Sequence, residues 1–299
     1  MSPLLAHTEA FIAHNGIYYQ TYGKRENPAI LLVMGMGGQH ILWPAEMVEG
    51  LVKESFYVIT FDHRDAGQSI SYDFDKDPYN LMDMVKDGIG VLDHLVVPKA
   101  HVVGLSMGGP IAELMSVYHP DRVASITLIA TSADFRPLHL AFDGLPPEQG
   151  LLSSPTEEYN ECRNRFLVAA PNSDEWVARR VDLWRVLEGS MPFDEDFYHK
   201  LFSDYLSRQK NPATLTNYVR ATKASENLIR TVPFQVTVPT LILHGSEDPI
   251  FPSDHGLALA SAIAHSGYLQ IFGMGHLPNR HFAAMLVEAI KKHTLCPAK

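Results

Sequence analysis

Short apolar runs recur along the chain, and the stretches between them are long enough for helices. The runs are of strand length and are apolar at successive positions, which is typical of parallel strands buried on both faces. We predict such strands at residues 29–35, 57–64, 100–106, 124–131, 240–246 and 267–273. An earlier hairpin is predicted at 9–16 and 17–23, because Asn15-Gly16 between them is typical of a tight turn.

Apolar residues at helical spacing fill most of the stretches between these strands. The predicted helices cover residues 41–54, 80–96, 108–118, 253–265 and 279–293. In the helix at 253–265, Ser253 or Asp254 is expected to be the N-cap, since a short polar side chain can accept N–H groups of the first turn. Strands that alternate with helices indicate an α/β fold with a mostly parallel sheet, covered by helices on both faces.

One stretch interrupts this alternation. Between Asp134 and Phe234 the sequence has no strand pattern, and helical patterns separated by Pro and Gly dominate. We predict a helical cap (lid) at 134–234, inserted into a core of residues 1–133 and 235–299, because the stretch is too long for one crossover connection. Ordinary crossover helices are the alternative. Most aromatic residues of the cap are expected in its core, with one or two lining an apolar pocket.

Composition and charge exclude several classes of protein. Of the 299 residues, 46% are hydrophobic and 19% are charged, which supplies a large core and excludes intrinsic disorder. The net charge of −10 disfavours nucleic-acid and membrane-surface partners, because both are bound through basic residues. Two cysteines, Cys162 and Cys296, cannot build a disulfide framework and favour a reducing compartment. With neither a signal-peptide pattern nor an apolar run of membrane-spanning length, we expect a cytoplasmic protein.

A motif for a nucleophilic serine lies at the end of the predicted strand 100–106. Gly104-Leu105-Ser106-Met107-Gly108 has the pattern G-x-S-x-G and leads directly into the predicted helix 108–118. Between a strand and a helix this pattern is typical of a nucleophile elbow, a strained turn that pushes the serine hydroxyl out of the sheet. A glycine-rich turn with an incidental serine is the alternative.

A base and an orienting acid are expected after later strands, in the chain order serine, acid, histidine. Asp248 follows the strand at 240–246 and His276 follows the strand at 267–273, so both lie at carboxyl ends of predicted parallel strands. We therefore predict a catalytic triad of Ser106, Asp248 and His276. The residues left open as alternatives are Glu247 and Asp134 for the acid, and His244 and His255, more typical of a structural role, for the base.

Two backbone N–H groups are needed to hold the negative oxygen of a tetrahedral intermediate. One is expected at Met107, directly after the nucleophile. The other is expected in the glycine-rich segment 34–38, where glycines let the backbone approach the substrate closely. Met36 is the predicted donor, with Gly35 and Gly37 as alternatives, and a glycine-rich connector without a donor role remains open.

Together these motifs resemble the α/β-hydrolase superfamily, and the similarity covers nearly the whole chain. The segments 33–44, 61–69 and 101–109 more narrowly resemble aclacinomycin methylesterase and its bacterial relatives. The resemblance implies a sheet of about eight strands, a helical cap, and a triad at Ser106, His276 and Asp248. It also implies hydrolysis of a carboxylic methyl ester without a cofactor.

Two positions depart from the usual superfamily pattern. Met34 stands where many members have a histidine in the oxyanion loop, which leaves the bracing of that loop open. Asp65 stands where many members have a glycine. Nearby, Asp62 and Arg64 are expected to brace loops rather than to take part in the chemistry.

The sequence therefore predicts a serine esterase that acts on small to medium apolar or methyl esters through an acyl-enzyme intermediate. A lactone or C–C bond hydrolase and a cofactor-free perhydrolase would use the same triad, and a small-ligand receptor would not need the histidine. Neither a cofactor nor a metal is expected, since the chain has no paired-cysteine or H-E-x-x-H spacing. The expected partner is a small-molecule ester, and the oligomeric state, including a homodimer, is left open.

Overall fold

An eight-stranded sheet lies at the centre of the protein, whose computed structural model describes residues 9–170 and 172–295. The strands are β1 (Glu9–Ile12), β2 (Tyr18–Tyr22), β3 (Ala29–Val33), β4 (Tyr57–Phe61), β5 (Ala100–Leu105), β6 (Val123–Ile129), β7 (Thr240–Gly245) and β8 (Gly267–Ile271). Their order is β1-β2-β4-β3-β5-β6-β7-β8, and only the pairings of β2 with β1 and with β4 are antiparallel among these strands. The predicted hairpin and the mostly parallel sheet are confirmed.

Burial follows position in the sheet. All residues of β3 and β4 are buried, because both strands have neighbours on each side and packed layers above and below. The prediction of a fully buried strand at 267–273 is wrong, since most residues of β8 keep accessible surface. β8 lies at the edge of the sheet, where one side of the strand has no neighbouring strand in the described residues.

The helices have bounds close to those predicted. They are α1 (Ala45–Lys53), α2 (Leu81–His94), α3 (Gly108–Tyr118), α4 (Arg136–Phe142), α5 (Glu157–Leu167), α6 (Ser173–Leu187), α7 (Glu195–Arg208), α8 (Asn217–Ala224), α9 (Glu226–Thr231), α10 (Ser253–Ala262) and α11 (Ala283–Leu295). α1 packs against α11 and α2 packs against α3. No helix in the described part of the chain is both long and apolar enough to cross a bilayer.

The starts of α1 and α11 and the N-cap of α10 differ from the prediction. α11 begins at Ala283 rather than at residue 279, and proline explains the other two differences. The helix expected from residue 41 begins at Ala45, because Pro44 has no N–H to continue a helix and occupies the N-cap. The N-cap of α10 is Pro252 rather than Ser253 or Asp254. The Ser253 hydroxyl instead accepts a hydrogen bond from Gln270, and the Asp254 carboxylate accepts the N–H of Ser153.

Helices α4 to α9 all lie in the chain between β6 and β7, which are neighbouring strands of the sheet. α5 packs against α6, and α6 packs against α7. Within the described residues of 134–234, the backbone makes one isolated β-bridge, from Gly189 to Met274 after β8. The insertion therefore meets the rest of the protein beside the loop that carries the predicted histidine.

Candidate active site

Ser106 lies in a strained turn between β5 and α3. Its φ angle is +53°, in the left-handed region that side chains other than glycine rarely adopt. Three hydrogen bonds hold this conformation: the Ser106 N–H donates to Ile129, and the Ser106 carbonyl accepts from the Gly109 N–H and the Thr131 hydroxyl. The side chain faces a cavity, where a nucleophile can meet a substrate.

The glycines of the motif are required by close backbone contacts. A Cβ atom on Gly104 would lie 2.2 Å from the carbonyl oxygen of Gly108, and one on Gly108 would lie 2.1 Å from that of Val33. Backbone atoms cannot move aside as the end of a side chain can. These two glycines thus let α3 start close against β5 and β3, with its N-terminus beside Ser106.

His276 and Asp248 meet at the carboxyl ends of β8 and β7. The Nδ1 atom of His276 lies 3.0 and 2.9 Å from the two carboxylate oxygens of Asp248. This bond leaves Nε2 of His276 as the ring nitrogen available to exchange a proton. His276 and Ser106 line the same cavity. A serine hydroxyl and an imidazole oriented by a carboxylate, facing one cavity, are the groups that acyl transfer through a serine requires.

Asp248 is held as a buried carboxylate. One oxygen accepts the N–H groups of Ile250 and Phe251, both at 2.9 Å. Burial alone would raise the pKa of Asp248, but the charge and hydrogen bond of His276, aided by these N–H groups, hold the pKa below its usual value. The acid therefore stays ionised and can stabilise positive charge on the imidazole.

The alternative acids and bases have other partners. Asp134 forms an ion pair with Arg136, and Glu247 accepts a hydrogen bond from Ser190. His244 Nε2 lies 2.8 Å from the carbonyl oxygen of Phe251 and 3.9 Å from Asp248. Both ring nitrogens of His255 are also engaged, at 2.6 Å by Ser132 and at 2.8 Å by the carbonyl of Ser153.

The glycine-rich segment Met34–Gly38, which we call the oxyanion loop after the role predicted for it, lies beside Ser106. A Cβ atom on Gly35 would lie 3.1 Å from Cβ of Ser106, so only a glycine lets the loop come this close without displacing the serine. No backbone or side-chain acceptor in the described residues takes the N–H of Met36 or of Met107. The same is true of Gly35 and Gly37, the alternative donors. Gly35, Met36 and Gly37 line the cavity, whereas Met107, which follows Ser106 in the sequence, is buried and is not a lining residue.

His63 and Tyr205 brace the oxyanion loop from two sides. His63 Nε2 lies 2.7 Å from the carbonyl oxygen of Met34, and burial lowers the pKa of His63 to about 4, so the neutral ring donates this bond. The Tyr205 hydroxyl donates a bond of 2.8 Å to the carbonyl of Gly37, which has a φ angle of +71°. Sequence reasoning missed both residues. Tyr205 lies far along the chain in α7, where spacing gives no signal of this contact.

Asp62 and Arg64 contact loops in the structure. The Asp62 carboxylate accepts the N–H groups of His40 and Gln68 at 2.8 and 2.9 Å, and pairs with Arg208 of α7 at 2.8 Å. Arg64 pairs with Asp87 of α2 at 2.6 Å. Neither Asp62 nor Arg64 lines the cavity.

The end of α6 holds the loop that carries His276. The N–H of His276 donates to the carbonyl of Leu187 at 2.8 Å, and that of Gly275 donates to Glu188 at 3.3 Å. A Cβ atom on Gly275 would lie 2.3 Å from the Leu187 carbonyl oxygen, which explains the glycine. The helical insertion thus contacts both the oxyanion loop and the histidine loop.

The cavity over Ser106 has a volume of about 980 Å³, at the upper end of the usual range for small-molecule sites. Its walls come from the oxyanion loop, the histidine loop and helices α4 to α8. Eight aromatic residues of the insertion line it, more than the one or two expected: Phe142, Tyr159, Phe166, Trp176, Trp184, Phe197, Tyr198 and Tyr205. In residues 9–170 and 172–295, no three His, Cys, Asp or Glu side chains converge as metal ligands would.

Known proteins resemble this chain in sequence and in structure. The family model described as alpha/beta hydrolase fold matches residues 28–279. The chain is 30% identical to rhodomycin D methylesterase DnrP of Streptomyces peucetius, over 93% of this chain and 94% of the relative. It is 24% identical to 3-oxoadipate enol-lactonase 2 of Acinetobacter baylyi, over 87% and 86% of the two chains. A solved hydrolase from Pseudomonas aeruginosa has the same fold, with a TM-score of 0.71 and 22% identity over 97% of this chain and 99% of that one.

Proposed function

The chain belongs to the α/β-hydrolase family, and on this premise we propose that it is a serine esterase that hydrolyses small to medium apolar or methyl esters. The observation that carries the proposal is the combination of Ser106 in a strained turn with an Asp248-bonded His276 at one cavity. Similarity to a named methylesterase supports an ester as substrate.

In the proposed mechanism, the Ser106 hydroxyl attacks the ester carbonyl while Nε2 of His276 takes its proton. The N–H groups of Met36 and Met107 stabilise the negative oxygen of the tetrahedral intermediate. The intermediate collapses, the ester C–O bond breaks, and the alcohol leaves with the proton from His276. Water, deprotonated by His276, then attacks the acyl-enzyme and releases the carboxylic acid and the free serine. Asp248 orients the imidazole and stabilises its positive charge throughout.

We also propose that residues 134–234 form a cap over a core of residues 1–133 and 235–299. This is supported by the position of α4 to α9 between neighbouring strands and by the share of the cavity wall that α4 to α8 supply. The proposed substrate is a small-molecule ester, and the proposed location is cytoplasmic, in keeping with only two cysteines in the chain.

Lactone hydrolysis is a second candidate, because a cyclic ester would react through the same steps. It is favoured by the similarity to a named enol-lactonase over most of both chains. The ring-opened acid would remain on the serine as an ordinary acyl group until water releases it.

The test is hydrolysis of p-nitrophenyl esters from acetate to palmitate, together with methyl esters and lactones, by the wild type and Ser106→Ala. The proposal expects release that peaks at short to medium chains and disappears in Ser106→Ala, while the circular dichroism spectrum is unchanged. A matched control is Ser203→Ala, which removes an exposed hydroxyl of α7 that bonds only within its own helix. Turnover retained in Ser106→Ala would overturn the serine mechanism, and turnover of lactones alone would favour the second candidate.

A further inference from the structure

Arg180 carries a positive charge into the wall of the active-site cavity without a protein carboxylate beside it. It belongs to α6 and lines the cavity. Among the described residues it forms no ion pair, and its Nε atom is buried without a hydrogen-bond partner. Burial lowers the pKa of Arg180 because the surroundings disfavour its charge. A buried polar group left unpaired in this way is rare and calls for a partner.

Aromatic rings surround the guanidinium of Arg180 but do not satisfy its hydrogen-bond donors. Its central carbon lies 4.7 Å from the ring centre of Trp184, 5.0 Å from that of Phe166, and 5.6 and 5.8 Å from those of Phe202 and Tyr205. Such contacts stabilise a cation through the faces of the rings. The five N–H donors of a guanidinium lie in its own plane, however, and need oxygen acceptors. The rings therefore fix the group in position and leave its donors for another molecule.

Three other charged side chains of the cavity wall are already paired. Arg220 forms an ion pair with Asp75, and Arg280 forms one with Asp194, each at 2.6 Å. Of the acids that line the cavity, Asp204 pairs with Lys200 at 2.9 Å.

Glu46, the other acid of the cavity wall, is exposed. Arg163 adds a second positive charge, with its guanidinium 3.7 Å from the ring centre of Phe142. The interior of the cavity thus has unpaired positive charge.

Arg180 also lies close to the oxyanion loop. One of its terminal nitrogens is 3.9 Å from the position that a Cβ atom on Gly37 would take. Gly37 is two residues from Gly35, where an added Cβ atom would lie 3.1 Å from Cβ of Ser106. Arg180 and Ser106 line the same cavity, so a substrate whose ester group reaches Ser106 can also contact the guanidinium.

We propose, on the basis of the esterase function above, that Arg180 is a substrate-binding residue that pairs with an ionised carboxylate on the acyl part of the ester. The planar guanidinium presents two parallel N–H groups that match the two oxygens of a carboxylate. The preferred substrates are then monoesters of dicarboxylic acids. Hydrolysis releases the dicarboxylic acid and the alcohol, while the second carboxylate remains unchanged.

The test compares the monomethyl esters of glutaric, adipic and suberic acid with the corresponding dimethyl esters, which have the same chains but no charge. For the wild type, we expect a higher kcat/KM on at least one monoester than on its diester. Arg180→Gln should lower kcat/KM on that monoester by about 10- to 100-fold, the range for hydrogen bonds to a charged group, and change the diester by less than about threefold. Arg180→Lys should retain part of the preference.

Two controls separate substrate binding from a structural role. Arg185→Gln removes an arginine of the same helix that is outside the cavity and paired with Glu195, and it should change neither substrate. Arg180→Met replaces an unpaired buried charge with an apolar chain of similar length, so the Tm should stay the same or rise. If Arg180 variants lose the same factor on monoesters and diesters, or lower the Tm in proportion to activity, the proposal is wrong.

A binding measurement distinguishes failure of this proposal from failure of the esterase assignment. Suberate binding is measured by calorimetry in Ser106→Ala and in Ser106→Ala/Arg180→Gln, so no turnover is involved. Binding that is about 10-fold or more weaker in the double variant supports the role of Arg180, even if no ester is hydrolysed. Esterase activity without any Arg180-dependent suberate binding or monoester preference overturns it and leaves the esterase assignment standing.

Discussion

The hydroxyl of Tyr205 donates a hydrogen bond of 2.8 Å to the carbonyl oxygen of Gly37. This bond joins α7 of the helical insertion to the loop proposed to stabilise the tetrahedral intermediate. Tyr205 is itself held by Gln39, whose side-chain amide donates to the Tyr205 carbonyl at 2.9 Å. The insertion therefore supports the loop proposed to act in catalysis and also forms a wall of the cavity.

Tyr205→Phe should reduce kcat by roughly threefold to tenfold with little change in KM. The variant keeps the ring but frees the Gly37 carbonyl, so the oxyanion loop is held less rigidly when negative charge develops on the substrate. Steady-state kinetics on one ester measures the effect, and Tyr118→Phe, with Tyr118 half-exposed at the end of α3, is the control. An unchanged kcat in Tyr205→Phe would show that the bond does not support catalysis.

Asp248→Asn should lower kcat by about 10³- to 10⁴-fold, because an amide neither favours the required tautomer of His276 nor stabilises its positive charge. The backbone N–H groups of Ile250 and Phe251 can still donate to the Asn oxygen, so the fold should be retained. Asp134→Asn and Glu247→Gln are the matched controls, since these acids bond to Arg136 and Ser190 instead. If either control lost as much activity as Asp248→Asn, the acid would have been assigned wrongly.

Glu113 should make the stability of the protein depend on pH, at pH values above those at which a glutamate ordinarily titrates. Its carboxyl group is fully buried in α3, neither oxygen has a partner in the described residues, and burial raises its pKa well above the usual value. A raised pKa means that the folded state keeps the proton which the unfolded state loses above about pH 4.5. Stability is therefore full below that pH and falls as the pH rises toward the pKa of the folded state.

Glu113→Gln removes this titration and keeps the shape of the side chain. The free energy of unfolding of the variant, relative to the wild type, should increase between pH 5 and 8 by up to ~1.4 kcal/mol per pH unit. Urea unfolding at several pH values measures it, with the exposed Glu161→Gln as the control. Parallel stability curves for Glu113→Gln and the wild type would contradict the prediction.

Most of the fold could be predicted from the sequence. The α/β-hydrolase fold and the resemblance to bacterial methylesterases are confirmed by the family match and by a relative 30% identical over nearly its full length. The bounds of α3 are those predicted, because Ser106 and the glycines around it determine where β5 ends and the helix begins. The edge position of β8 could not be predicted from the sequence, because its apolar pattern resembles that of a central strand. Only the strand order shows that one side of β8 has no neighbouring strand in the described residues.

The candidate site could be predicted only where chemistry leaves a local pattern. Ser106, Asp248 and His276 each follow a strand in recognisable short motifs, and the structure brings the last two into contact. Tyr205 and Arg180 have no such motif, because an isolated residue on a long helix meets its partners only through tertiary packing. The roles of the three motif residues remain predictions, and Ser106→Ala and Asp248→Asn test two of them.

The insertion also has a consequence for the order in which the protein can assemble during synthesis. Ile126 of β6 pairs with Thr240 of β7, and the whole helical insertion must be made before these neighbours can meet. Pairings across such a long separation are slow, since a large loop must close before any contact stabilises it. Ser106 emerges from the ribosome well before Asp248 and His276. A nascent or truncated chain that ends within the insertion would therefore have the proposed nucleophile without the proposed base, and we expect hydrolysis only once β7 and β8 have joined the sheet.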